Sequence, residues 1–201
     1  MKGRNAAFTL IELLIVVAII AILAAIAVPN FLEAQVRAKV SRCKADMRST
    51  VTAIESYAVD NNTYPLYGVV LPSDAIQMPA MGVSAKHEFA HPHMTTPIAY
   101  ITSQFEDPFA TKLIGPEPVI RWYNYMNMPY HFSFPGHPLP QSERDKLLDQ
   151  TGLWRLIACG PDGDRGYDAK FTNTIYDPTN GTVSDGDIVR TQKNPESQPR
   201  K

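Results

Sequence analysis

Between Leu13 and Leu32 the chain carries no charged side chain. As a helix rising ~1.5 Å per residue, that stretch is about 30 Å long, the thickness of a bilayer's hydrocarbon core. It can therefore span a membrane. One carboxylate, Glu12, sits at the head of the run, four residues after Phe8 in Phe8-Thr9-Leu10-Ile11-Glu12-Leu13. A carboxylate in such a segment costs a few kcal/mol on insertion unless something neutralises it, so its default explanation is functional.

Beyond the run the apolar residues become periodic. Val36, Val40, Cys43, Met47, Val51, Ile54 and Ala58 recur every three or four positions, while Arg37, Arg42, Lys44, Arg48, Glu55 and Ser56 fall largely elsewhere. That is the stripe of an amphipathic helix. One helix is predicted from Thr9 to Val59, roughly 75 Å long, crossing the membrane and entering a soluble domain. Asp60-Asn61-Asn62 and Tyr64-Pro65 end it, because Asn and Asp favour turns and Pro restricts the residue before it. Pro29 deletes one helical hydrogen bond and predicts a kink or local melt around residues 25–29.

The leader and the residues after it, Ala7-Phe8-Thr9-Leu10-Ile11-Glu12 behind a basic 1–6 segment, resemble the class III signal of type IV pilins and type II secretion pseudopilins. The resemblance implies that a prepilin peptidase cuts between Ala7 and Phe8 and that Phe8 is N-methylated. It implies further that Glu12 is the assembly carboxylate and that the segment at Pro29 can extend in a filament. The family usually has Gly before the cut, where this chain has the next smallest residue, Ala7. Two plainer readings compete. Ala24-Ala25-Ile26-Ala27 imitates a secretory cleavage site, but a charge is out of place inside a secretory apolar core. A mere membrane anchor leaves Glu12 unexplained. Lys2 and Arg4 are matched by Arg37, Lys39, Arg42 and Lys44 beyond the span, so charge alone does not orient it. The resemblance implies an inner-membrane protein with an extracytoplasmic, periplasmic domain.

The predicted fold is α+β and pilin-like: a long N-terminal helix packed on a small antiparallel sheet with long loops. Leader 1–7, span 8–29, amphipathic half 30–60 and a globular 61–201, its tail loosening from about residue 192, make up the chain. Residues 119–126 and 153–159 are strand candidates, rich in aromatic and branched side chains. Alternation in the second puts Trp154, Leu156 and Ala158 against the helix stripe, and Arg155 and Cys159 on the other face. Residues 66–118, studded with Pro, are predicted to be mostly loop with short elements. Residues 142–150 read as a helix with Ser142 as N-cap.

Tyr100-Ile101-Thr102-Ser103 through Asp107-Pro108-Phe109, then Cys159-Gly160-Pro161-Asp162-Gly163 and Ser184-Asp185-Gly186-Asp187-Ile188, resemble segments of the major pseudopilin of type II secretion. There the C-terminal loop binds calcium. Asp162, Asp164, Asp168, Asp177, Asn180, Asp185 and Asp187 supply hard oxygen ligands, with Asp162 and Asp187 foremost, then Asp164 and Asp185; the spacing is not an EF-hand. The plain alternative is that these residues form turns.

Other chemistry is not called for. His87, His91 and His93 are broken by Pro92 and read as loop; no nucleophile elbow or phosphate loop is present, so an enzyme is not expected. Lys+Arg 19 against Asp+Glu 20 offers no basic surface for nucleic acid. Cys43 and Cys159 could pair outside the cytoplasm, but on the reading above they lie on different faces, so no disulfide is favoured. These features point to a non-enzymatic pseudopilin of a type II secretion filament. Its implied partners are further copies of itself, minor pseudopilins, the prepilin peptidase and an inner-membrane assembly platform. A type IV pilin of a surface fibre and a membrane-anchored extracytoplasmic binding domain are the alternatives.

Overall fold

The computed structural model describes residues 8–70, 76–77, 88–90, 94–110, 122–133, 139–163, 175–180 and 186–195. The first element is a single unbroken helix, α1, Leu10–Asn61, of 52 residues. It ends where the sequence says it should, with Asn62 in the left-handed region at φ 53°. Asn tolerates that conformation better than most residues with a side chain. Asn61 Nδ2 donates back to the Tyr57 carbonyl at 2.9 Å, and Tyr100 donates its hydroxyl to Asp60 at 3.0 Å, closing the helix end.

The expected melt at residues 25–29 is absent, since α1 runs through Pro29 without a break. Proline removes one hydrogen bond, and the turns on either side hold the helix together.

The stripe is borne out at Val40, Cys43, Met47 and Ile54, whereas Val36, Val51 and Ala58 are half-buried and Thr50 and Ala53 join the buried face. Everything from Phe8 to Leu32 is exposed. A three-stranded antiparallel sheet packs on that stripe in the order β4-β5-β6: β4 Asn124–Asn127, β5 Trp154–Ala158 and β6 Ile188–Thr191. In register, Tyr125 faces Leu156 and Ile157 faces Val189. The core joins α1 to Tyr125, Met126, Trp154, Leu156, Ala158 and Ile188. Between α1 and β4 lies a second antiparallel sheet, β2-β1-β3, made of β1 Tyr67–Val70, β2 Ile76–Gln77 and β3 Glu88–Ala90. It gives the Pro-studded region an order that its composition does not announce. Helix α2, Met128–Phe132, follows β4 with Asn127 as its cap, and α3, Gln141–Thr151, precedes β5.

Three local expectations are corrected. The strand read at 119–126 begins only at Asn124; Trp122 makes an isolated bridge to Glu106, and residues 119–121 lie outside the described ones. The N-cap of α3 is Pro140, not Ser142: the Pro140 carbonyl accepts from Glu143 N at 3.0 Å and Arg144 N at 3.1 Å, and Ser142 is already inside the first turn. The chain is also held just past residue 192, because Lys193 Nζ donates to the Asp149 carbonyl at 2.6 Å and Asn194 N to Thr191 Oγ1 at 2.9 Å; residues 196–201 lie outside the described ones.

Cys159 is a further correction. It does not point away from the core: it is fully buried in the same cluster as Cys43, and no disulfide joins the two. Strand alternation stops applying at Ala158, where β5 ends. Burial pushes the Cys43 thiol up to about 12, and the Asp107 carboxylate adds to the effect. The folded pKa is raised, so the protein holds the neutral thiol. The stability tied to that form is complete below the ~8.5 of a free thiol and is lost only as pH climbs toward 12. Iodoacetamide at pH 8.5 is therefore expected to leave Cys43 unmodified in folded protein and to alkylate it once guanidinium unfolds the domain, with mass spectrometry as the readout. Modification of the folded protein at a free-thiol rate contradicts this burial.

Candidate functional site

Two places gather the residues that sequence singled out. The first is the start of α1. Thr9 is the N-cap in extended conformation, and Glu12 stands at the third helical position. Glu12 Oε2 accepts from Thr9 N at 2.9 Å and from Thr9 Oγ1 at 2.7 Å, while Glu12 N donates to Thr9 Oγ1 at 3.3 Å. This is a capping box, with helix-start donors satisfied reciprocally. The signal was legible as Thr-x-x-Glu, but the sequence reading treated Glu12 as unpaired. A carboxylate at a helix N-terminus also meets the positive end of the helix dipole, which lowers the cost of placing Glu12 among apolar residues. A cut between Ala7 and Phe8 leaves the Phe8–Thr9 amide intact, so the box survives processing.

From Phe8 to Leu32 the helix presents apolar side chains to its surroundings on every side: Leu10 is 88%, Leu14 70% and Phe31 63% exposed. Among the described residues α1 is the one helix long and apolar enough to cross a membrane, with a mean hydropathy of 3.1 over its best window. Pro29 lies within this bare half.

The second place is the end of the domain nearest the bare half. Asp107 is buried, and its two carboxylate oxygens accept from Phe109 N at 3.0 Å and from Cys159 N at 2.7 Å. One buried side chain thereby ties the loop after Tyr100 to the exit of β5. Phe109 in turn lies under the Lys39 ammonium, 5.5 Å from the ring centre. Immediately after Cys159 the chain turns tightly, with Gly163 N donating to the Gly160 carbonyl at 2.9 Å and Gly163 at φ 74°.

That turn meets the segment before β6 backbone to backbone. A Cβ on Gly160 would sit 1.9 Å from the Gly186 carbonyl oxygen, and one on Gly186 would sit 2.5 Å from Tyr176 N. Three chain segments are stacked with no room for a side chain. Tyr176 N donates to the Asp187 carbonyl at 2.9 Å, and Ile175 bridges Asp187 in parallel. The two motifs read from sequence as separate calcium-loop fragments are thus brought together: the Asp162 carboxylate comes within 3.2 Å of the Cβ position of Gly160, and Asp187 is buried beside Gly186. Asp164, Asp168 and Asp185 lie outside the described residues, as do His87, His91 and His93. Among the described residues no three His, Cys, Asp or Glu side chains converge as a metal site. Asp177 behaves as a turn former, its carboxylate accepting from Thr179 N at 2.8 Å and Thr179 Oγ1 at 2.7 Å; those bonds hold it below the usual carboxylate range. Sequence reading missed Asp107 as an anchor, because a buried carboxylate that accepts from backbone N–H groups leaves no spacing signature.

Residues 2–28 match the prokaryotic N-terminal methylation motif. The chain carries a class III signal and is homologous to pilins and pseudopilins. It is 52% identical over 61 residues to the type IV major pilin protein of Myxococcus xanthus, covering 30% of this chain and 28% of that protein. It is 55% identical over 62 residues to the type IV wide pilus major component of Thermus thermophilus, covering 30% of this chain and 47% of that protein. With type II secretion system core protein G of Escherichia coli it shares 25% identity over 172 residues, 85% of this chain and 91% of that protein. The chain thus spans less than half the length of the two pilins, whereas its match to core protein G is nearly end to end. No solved structure matches the chain significantly.

The backbone stack makes a direct prediction. Gly160→Ala must move backbone to relieve the 1.9 Å contact, so it is expected to cost at least the ~1–3 kcal/mol of ordinary overpacking. Thermal unfolding of the full chain in detergent should show Tm falling by at least about 2–4 °C. An unchanged Tm contradicts the stacked arrangement.

Proposed function

We propose that the chain is a non-enzymatic filament subunit, the pseudopilin of a type II secretion filament. It is held in the inner membrane by residues 10–28, with its domain on the periplasmic side, until assembly extracts it. The observation that carries the filament reading is the division of α1: a bare apolar half headed by a capped carboxylate, and a second half that is the wall of the domain core. A bundle of such bare halves buries in a filament what lipid buries before assembly. Core protein G is favoured over the pilins because an alignment of 172 residues has to run well past α1 into the domain. The higher identities to the Myxococcus and Thermus proteins support the second reading, a type IV pilin.

In this reading the prepilin peptidase cuts between Ala7 and Phe8 and Phe8 is N-methylated. In the filament Glu12 pairs with the Phe8 amino group of an adjacent copy, Pro29 allows the stalk to adjust, and minor pseudopilins and an inner-membrane platform are the assembly partners. The capping box supplies a way to isolate the charge. Gln fits the same helix position and keeps the hydrogen bonds to Thr9, while removing the negative charge. Glu12→Gln is therefore expected to insert and be processed normally, yet to give at least about tenfold fewer sheared filaments on immunoblot, the effect of losing roughly 1.4 kcal/mol per contact. Wild-type filament yield from Glu12→Gln assigns Glu12 to capping alone.

We further propose that Asp162 and Asp187, with Asp164 and Asp185 next to them in sequence, supply carboxylate ligands to calcium near the Gly160–Gly186 corner; the ion would offset the repulsion of carboxylates brought close together. A ligand bound only by the folded state raises stability by mass action. Millimolar calcium is expected to raise the Tm of the full chain in detergent, Asp187→Ala to abolish most of that gain, and magnesium to substitute poorly. If neither calcium nor a chelator moves the Tm of the unmutated protein, the aspartates are turn residues only.

A further inference from the structure

Just beyond the uncharged run, residues 37–48 hold Arg37, Lys39, Arg42, Lys44 and Arg48 against one carboxylate, Asp46. Local pairing does not consume this excess. Arg37 meets Glu33, and Arg42 meets Asp46 at 3.5 Å, with the arginine side chains 70% and 65% exposed. Exposed pairs of this kind hold little energy and leave the cations open to a stronger partner. Lys39 lies over Phe109 with its side chain on the surface.

The angular arrangement identifies the partner. At 3.6 residues per turn, Arg37, Lys44 and Arg48 fall within about 40° of each other, and Lys39 and Arg42 about 60° apart on the opposite border of the Val40, Cys43 and Met47 stripe. The cations therefore flank the covered stripe on both sides. A second copy docking on one face would gather one set and strand the other. A plane of anionic groups crossing the helix meets both sets together. The axial positions agree: Arg37 is ~8 Å and Lys39 ~10 Å beyond Leu32, Arg42 ~15 Å, Lys44 ~18 Å and Arg48 ~24 Å, where the headgroup layer extends only about 5–8 Å past the hydrocarbon. Long basic side chains reach back toward such a layer by one side-chain length, which brings Arg37, Lys39 and Arg42 within range and leaves Lys44 and Arg48 outside it.

We infer that Arg37, Lys39 and Arg42 form a collar that binds anionic phospholipid headgroups while α1 spans the bilayer. This rests on the membrane reading of α1 but not on which leaflet the collar faces. The collar fixes the depth of the stalk, and assembly has to break its lipid contacts.

The test uses the full chain reconstituted in phosphatidylcholine vesicles containing a trace of spin-labelled phosphatidylglycerol or spin-labelled phosphatidylcholine, with electron spin resonance reading the lipid immobilised at the protein. Phosphatidylglycerol should be preferred at least about fivefold, the weight of a single surface cation. The preference should fall toward parity at 1 M salt, where the screening length is ~3 Å. It should vanish in the combined Arg37→Gln, Lys39→Gln, Arg42→Gln variant, and persist in Lys44→Gln, in Arg48→Gln and in Arg37→Lys with Arg42→Lys. Equal association of both lipids with the unmutated chain overturns the collar while leaving the span intact. The same parity with filament assembly lost in the combined variant reassigns the cations to a neighbouring copy. Preference surviving the combined substitution overturns the assignment to these residues, and no immobilised lipid of either kind overturns the membrane reading itself.

Discussion

The second half of α1 is both the continuation of a membrane-length helix and the wall of the domain's core, and the rest of the molecule is arranged by that double use. Trp154, at the start of β5, donates its indole N–H to Glu55 at 2.7 Å, while the far end of β5 is pinned through Cys159 to Asp107, whose charge is felt by Cys43. From Glu55 back to Cys43 the helix covers about 18 Å, and from Trp154 to Cys159 a strand covers about 17 Å. The strand is laid along the helix and matched to it in length. Burial of Ile54, Met47 and Cys43 against Leu156 and Ala158 follows from that match.

This geometry gives the domain two ends with different chemistry. At the far end, tyrosines close the helix: Tyr57 and Tyr100 meet edge to face at 5.4 Å, and Tyr64 donates to Glu55 at 3.0 Å. At the end near the bare half, backbone packs on backbone at Gly160, Gly186 and Tyr176, and Asp107 holds the strand exit. Burial raises the Tyr176 hydroxyl above its ordinary value, opposed by the nearby Arg37 guanidinium. The aspartate-bearing turns thus sit level with the basic stretch of the stalk, where a filament or a membrane would be met.

Much of this was legible before any coordinates. The helix, its length, its end at Asn62 and its buried stripe follow from apolar spacing and turn residues, because helix periodicity is a local property. The pairing of Gly160 with Gly186 was not, since contact between segments 26 residues apart has no local signature; only the shared Gly-Asp content hinted at it. The burial of Cys159 was misread because alternation was extended one residue beyond the strand. The short elements expected among the prolines are the strands β1, β2 and β3, but their pairing into one sheet was not legible, since they are too short for a period-two pattern to emerge. Glu12 shows the opposite case: the residue was singled out correctly, but its partner three residues earlier was overlooked.

The filament reading is tested most directly by the intact mass of the subunit in filaments sheared from cells that express it. The mass should correspond to a chain beginning at N-methylated Phe8. Filaments that lack the chain, or a chain confined to the membrane fraction that keeps Met1 or begins after Ala27, would contradict it.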